Sequence, residues 1–123
     1  MSISWRSGPA FYHYGDNSWY YTHGGVAGEY YYPHSVSIPT GTWGFYCITY
    51  DGSNIKIYRN SVYEGSQATT GTADWTNGFN IGNYAGSAYW YQGLISNISM
   101  YNRALTSAEV KQNFNALRGR YGI

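Results

Sequence analysis

With 123 residues, a net charge of +1 and only 11% charged residues, the chain has the length of one domain and lacks the basic footprint of a DNA or RNA binder. Aromatic residues make up 20%, with 16 Tyr and 5 Trp beside 16 Gly, a mixture that favours strands joined by many reversals and argues against disorder. No run approaches the roughly 20 apolar residues of a membrane span, the opening MSISWRSGPA lacks the apolar stretch of a secretory signal, and Cys47 is alone, so no intrachain disulfide can form.

The first 42 residues hold short candidate strands at 3–6, 10–14, 18–22, 29–32 and 34–38. Breakers separate them: Gly8-Pro9, Gly15-Asp16-Asn17, Gly24-Gly25 and Pro33. Pro39 to Thr42 then form a loop that delivers the chain into Trp43.

Residues 43–60, WGFYCITYDGSNIKIYRN, organise the chain. Trp43, Phe45, Cys47 and Thr49 share one strand face, and Tyr46, Ile48 and Tyr50 share the other. Both faces are largely apolar, which predicts a central strand covered on both sides, with Trp43 in the core and Cys47 a buried, inert thiol. Asp51-Gly52-Ser53-Asn54 is a reversal, because Gly takes positive φ freely and Asp bonds its own backbone. On the return strand Ile55 and Ile57 oppose Lys56 and Tyr58, so one side is expected to be wet.

Residues 61–67 extend that strand beyond a bend, 68–78 form a polar surface connection around Trp75, 79–82 (FNIG) a short strand, and 83–88 a loop. From Tyr89 to Tyr101 the pattern reads as a long strand with a bulge near Ser96-Asn97, because Ile95 falls out of phase with Ile98 and Met100. The period then changes. Thr106 and Glu109 have capping-box spacing and Leu105 and Val110 occupy the staple positions. Val110, Phe114 and Leu117 form one apolar stripe, which predicts a helix over 106–118 with Gly119 as its stop.

The ordered series Trp43, Tyr46 to Gly52, Ile55 to Tyr58, Phe79 to Gly82, Gly93, Ile95, Ile98, Met100 to Leu105 and Thr106 to Val110 resembles the laminin-G-like branch of the concanavalin A-like lectin/glucanase superfamily. Its ending, Asn102 to Thr106 and on through Gly119 to Gly122, is similar to copies in tailed-phage virion proteins. The resemblance implies an all-β, concanavalin A-like (jelly-roll) β-sandwich of two antiparallel sheets with one short C-terminal helix. All 123 residues form a single domain, with atypical N-terminal strands over 1–42, core strands over 43–101 and the helix over 106–118. Three departures stand out. The family's Asn-Gly after the second hairpin strand is Asn60-Ser61 here, which predicts a longer or differently shaped turn. Its acidic pair is Ser96-Asn97. Its N-terminal strands are missing, so the first 40 residues or a neighbouring chain must cover the exposed sheet edge.

The carboxylates argue against glycosidase chemistry, which needs an acid and a nucleophile about 5 Å apart for retention. Asp16, Glu29, Asp51, Glu64, Asp74 and Glu109 are scattered, with no two at strand-face spacing. His13, His23 and His34 lie in separate segments with no carboxylate or cysteine beside them, and Gly24 to Gly28 precede no helix, so neither a metal set nor a phosphate cradle is read. Laminin-G-like relatives often bind calcium through loop oxygens. Asp16-Asn17 and Asp74 with Asn77 are the nuclei on offer, but Asx turns account for both, and no cofactor is expected.

Trp and Tyr offer flat apolar faces with polar tips, suited to stacking on sugar rings and to protein interfaces. Trp75, Tyr84, Tyr89, Trp90 and Tyr91 are the candidate ligand-binding residues. Lys111, Arg118 and Arg120 are read as charge balance at the helix end. The expectation is a non-catalytic virion module, a capsid decoration or tail-appendage subunit with an adhesive role. Its partners would be other virion subunits, further copies of itself or surface glycans, with no nucleic acid and no membrane. The alternatives are a free, extracellular lectin module and a degenerate glucanase.

Overall fold

The computed structural model describes residues 10–13, 19–22, 30–31, 40–68, 81–83 and 90–123. The expected strands at 3–6 and 34–38, and most of the 68–78 and 83–88 connections, lie outside these residues.

Three of the expected N-terminal strands are present. β1 (Ala10–His13), β2 (Trp19–Thr22) and β3 (Tyr30–Tyr31) form an antiparallel sheet in sequence order, with Phe11 opposite Tyr21 and Tyr21 opposite Tyr31. A second antiparallel sheet, also in sequence order, contains β4 (Tyr46–Tyr50), β5 (Asn54–Arg59) and β6 (Val62–Ala68). One helix, α1 (Ser107–Tyr121), follows near the C-terminus.

The β4–β5 reversal works as its residues dictate. Gly52 takes φ 96°, and the Asp51 carboxylate accepts from the amides of Ser53 (3.0 Å) and Asn54 (2.7 Å). These amide bonds hold the Asp51 carboxyl below its ordinary range, with Lys56 adding a smaller attraction at 3.7 Å.

The β5–β6 turn differs from expectation. Asn60 (φ 49°) and Ser61 (φ 66°) form a two-residue connection in which Arg59 pairs directly with Val62. Positive φ at both central positions is the mirror-image turn that matches strand twist, and here Ser61 does the work of a glycine. Residues 62–68 therefore fold back as a third strand instead of extending the second. Between Ile57↔Gly65 and Tyr58↔Tyr63 the register slips by one, leaving Glu64 as the extra residue of a bulge.

Among the described residues β5 is the middle strand of this sheet; one of its faces is covered at Ile55 and Ile57, the other at Tyr58, while the Lys56 side chain stays 44% exposed. Ile55 (1% exposed) and Ile57 pack with Ile48, Tyr50 and Tyr21 of the other sheet on one side. On the other side Tyr58 (3% exposed) packs with Leu105 and Val110, with Phe45 and Cys47 alongside. The expected wet face is thus buried at Tyr58, because α1 lies over it; the Tyr58 hydroxyl meets Ser107 Oγ at 3.1 Å. Burial pushes the Cys47 thiol up to about 11.

The helix begins as its sequence predicts. Thr106 Oγ1 accepts from the Glu109 amide, while Glu109 Oε2 accepts from the Thr106 amide at 2.8 Å. Val110 and Phe114 are buried and Leu117 is half-buried. Gly119 does not stop the helix, which runs on to Tyr121 and ends where Gly122 adopts φ 69°. A glycine terminates a helix through left-handed geometry, and Gly122 supplies it. Arg118 and Arg120 sit in the last turn, as charge balance requires, whereas Lys111 lies nearer the start.

Of the expected strand over 79–82 only its last two residues are described, and the expected strand over 89–101 is not paired over its described part. Ile81 to Asn83 form a bend, with Gly82 at φ 78°. Residues 90–101 belong to no sheet; a strand needs a ladder, and this segment is tied to α1 by side chains instead. Ser96 Oγ bonds the Tyr121 hydroxyl, and Asn113 Nδ2 donates to the Tyr101 hydroxyl at 3.0 Å.

Contact between the two sheets is described at two places, Tyr21 against the Ile55–Ile57 cluster and Phe11 beside Tyr46 with ring centroids 6.4 Å apart.

Candidate functional site

A cleft of about 390 Å³ opens where the approach to β4, the β5–β6 turn and the end of the chain converge. Trp43, Tyr46 and Val62 supply apolar wall; Arg59, Asn60 and Glu64 supply polar groups; Ile123 closes one side. The bulge explains the polar set. It turns Glu64 toward Arg59, whose Nε donates to Glu64 Oε1 at 3.0 Å. Asn60 is committed to the fold, since its Oδ1 accepts from the Phe45 amide at 2.9 Å.

Trp43 was expected in the core, but strand pairing begins only at Tyr46, so Trp43 precedes the sheet. Its ring leans on Tyr121 with centroids 4.9 Å apart and remains 36% exposed. Gly44 shapes the wall beside it, since a Cβ there would lie 2.6 Å from the Tyr46 ring. The result is a partly exposed indole, tilted 47° against Tyr121, in the same cleft as the Arg59–Glu64 ion pair. Such a surface can take a flat ring by stacking and orient it by hydrogen bonds.

Of the candidate ligand-binding residues, Trp75, Tyr84 and Tyr89 lie outside the described residues. Trp90 (64% exposed) and Tyr91 are on the surface but do not line the cleft. The Tyr91 amide donates to the Gly82 carbonyl at 2.8 Å, and the absence of a side chain at Gly93 leaves space for the Tyr91 ring. Sequence reasoning missed the cleft itself. The signal was present in Arg59 and Glu64 flanking a tight turn, but the slip in register that makes them face one another is invisible in the pattern.

Each described carboxylate is engaged. Asp51 caps its turn and Glu64 pairs with Arg59. Glu109 takes a bidentate contact from Arg103 (2.6 and 2.9 Å), which with Thr106 lowers its carboxyl from an ordinary 4.5 to about 2. Among the described residues no three of His, Cys, Asp or Glu gather as a metal set. Among them, too, no helix is long and apolar enough to cross a membrane.

Among the described residues the fold is thus two antiparallel three-stranded sheets with a C-terminal helix over one of them. A laminin-G-type family model, described as the concanavalin A-like lectin/glucanases superfamily, matches residues 4–111, and the chain belongs to that superfamily. A search of the curated proteins finds no match. Among solved structures the chain is similar to an S-layer domain-containing protein (residues 221–444) from Clostridium thermocellum ATCC 27405, with 18% identity and a TM-score of 0.55. The alignment covers 88% of this chain and 64% of that one, so this chain spans under two thirds of the solved domain. At that identity the likeness speaks to fold alone.

Proposed function

We propose that the chain is a non-catalytic module for holding on to a surface, built as a concanavalin A-like sandwich in which β1–β3 belong to the second sheet. The observation that carries this reading is the exposed run from Trp90 to Tyr101, where Leu94, Ile95, Ile98 and Met100 join the three aromatics Trp90, Tyr91 and Tyr101 on the surface. Exposed apolar area of this extent marks an interaction surface more often than chance exposure does. Its proposed place is a virus particle, as a capsid decoration or tail-appendage subunit, a placement that rests on the resemblance read in the Asn102 to Thr106 ending alone. The test is whether antibody to the chain labels purified particles from its source. Labelling supports the assignment, and particles free of the chain defeat it.

The cleft favours a second reading, a glycan-binding module, because Trp43 offers a ring face beside the Arg59–Glu64 pair. On a glycan array this reading expects specific retention that Trp43→Ala abolishes. Turnover of β-glucan by the purified chain would overturn both readings in favour of a glucanase.

A further inference from the structure

Asn97-Ile98-Ser99 is an Asn-X-Ser triplet with no proline at its centre, and no other asparagine of the chain has Ser or Thr two residues on. Such a triplet can accept a sugar only where a transferase reaches it, which in a folded chain means the surface and irregular backbone. A paired strand over 89–101 would have locked this backbone into a ladder. The structure gives residues 94–101 no ladder and leaves Asn97, Ile98 and Ser99 all exposed.

Polar contacts tie the segment to α1 on either side of the triplet. Ser96 Oγ bonds the Tyr121 hydroxyl, and Asn113 Nδ2 donates to the Tyr101 hydroxyl at 3.0 Å. Between these two ties Ser99 Oγ reaches back to Asn97 Oδ1 at 3.5 Å. The hydroxyl that the triplet requires thus stands beside the amide it serves. Among the described residues no group accepts from Asn97 Nδ2, the atom that would take the sugar. The side chains of Asn60 and Asn113, by contrast, are engaged in the fold.

We propose that Asn97 is an acceptor for an N-linked sugar. The donor is a sugar carried on a phosphate, of nucleotide or lipid type. Asn97 Nδ2 attacks the anomeric carbon, the bond from that carbon to the phosphate oxygen breaks, and the phosphate leaves with the electron pair while a base of the transferase takes the Nδ2 proton. The attached group is bulky and hydrophilic. Between Ile95 and Ile98 it limits close apolar contact at that point of the run, so the run serves as a holding surface where the site is empty. The inference goes beyond the holding function and does not depend on it.

Peptide mapping of the full chain purified from its natural source tests it. Trypsin releases residues 60–103 as one peptide, because no Lys or Arg lies between Arg59 and Arg103. The expected result is a mass gain of whole sugar residues, placed on Asn97 by electron-transfer fragmentation. A single sugar residue identifies a nucleotide-linked donor, and an oligosaccharide added whole identifies a lipid-linked one. Ser99→Ala expressed in the same source should lose the sugar and Ser99→Thr should keep it, with far-UV circular dichroism showing that both are folded. Bare Asn97 in the natural chain, or a sugar that survives Ser99→Ala, would overturn the proposal. A bare chain that still labels particles would leave the holding function standing, so the two failures are separable.

Discussion

Asn60 grips Phe45 twice: its amide donates to the Phe45 carbonyl at 2.8 Å and its side-chain oxygen accepts from the Phe45 amide at 2.9 Å. A turn residue thereby lengthens the β4–β5 ladder by one pair, just outside the strands and beside the cleft. Asn60→Ala loses the side-chain bond and puts a Cβ residue without a local acceptor into left-handed geometry. The expected loss is about 2 kcal/mol of unfolding free energy. Asn60→Asp, which keeps the acceptor, should lose less. Urea denaturation of the three proteins side by side checks the order.

Ser61 sits at φ 66°, where any side chain costs energy that glycine avoids. It is partly buried and belongs to neither cluster of the core. Ser61→Gly should stabilise the protein by about 1 kcal/mol, set mainly by relief of backbone strain. A midpoint equal to or lower than the parent's would show that the Ser61 side chain has a role the geometry does not reveal.

Acid should weaken the start of α1. Glu109 titrates near 2 in the folded chain against an ordinary 4.5, chiefly through Arg103 and then Thr106. A depressed carboxyl binds protons more readily when unfolded, so its contribution is complete above pH 4.5 and fades as pH falls toward 2. The lowered Asp51 carboxyl acts in the same direction. Glu109→Gln should flatten the pH dependence of the unfolding midpoint over that window. An unchanged slope would mean that the Arg103 contact forms too rarely in solution to matter.

Cys47 should resist alkylation until the protein unfolds. With its thiol raised from an ordinary 9.0 to about 11, the folded chain holds about 100-fold less thiolate near neutral pH than the unfolded chain does. Iodoacetamide should modify the native protein at a rate lower by at least that factor. The rate should rise with urea in step with the fluorescence transition. Rapid labelling of the native state would place Cys47 nearer solvent than its contacts with Tyr58, Leu105 and Val110 imply.

Local chemistry was legible wherever a few neighbouring residues decide the outcome. Thr106 and Glu109 announced the start of α1, Asp51-Gly52 the reversal, and the breakers at Gly15 to Asn17 the gap between β1 and β2. Features set by distant packing were not. Nothing near Tyr58 says that α1 will cover it, and nothing near Trp43 says that its ring will meet Tyr121 and stay partly exposed. Gly119 and Gly122 look alike as stop signals, and only the backbone geometry at each separates them. The segment at 90–101 is a different case, because its alternation specifies a strand only if an edge is offered to it. Of the cleft, only the acidic and basic residues could have been noted in advance; the bulge that turns Glu64 toward Arg59 depends on where three strands settle.

Ile123 sits in the wall of the cleft. Any polypeptide continuing from it would start its path at the mouth of the recess and would rival a visiting ligand for the indole of Trp43. A purification handle joined there could mimic or mask recognition, whereas one inserted at the exposed Gly52-Ser53 reversal would stay clear. Where a researcher splices this domain thus decides whether its recess is being assayed or plugged.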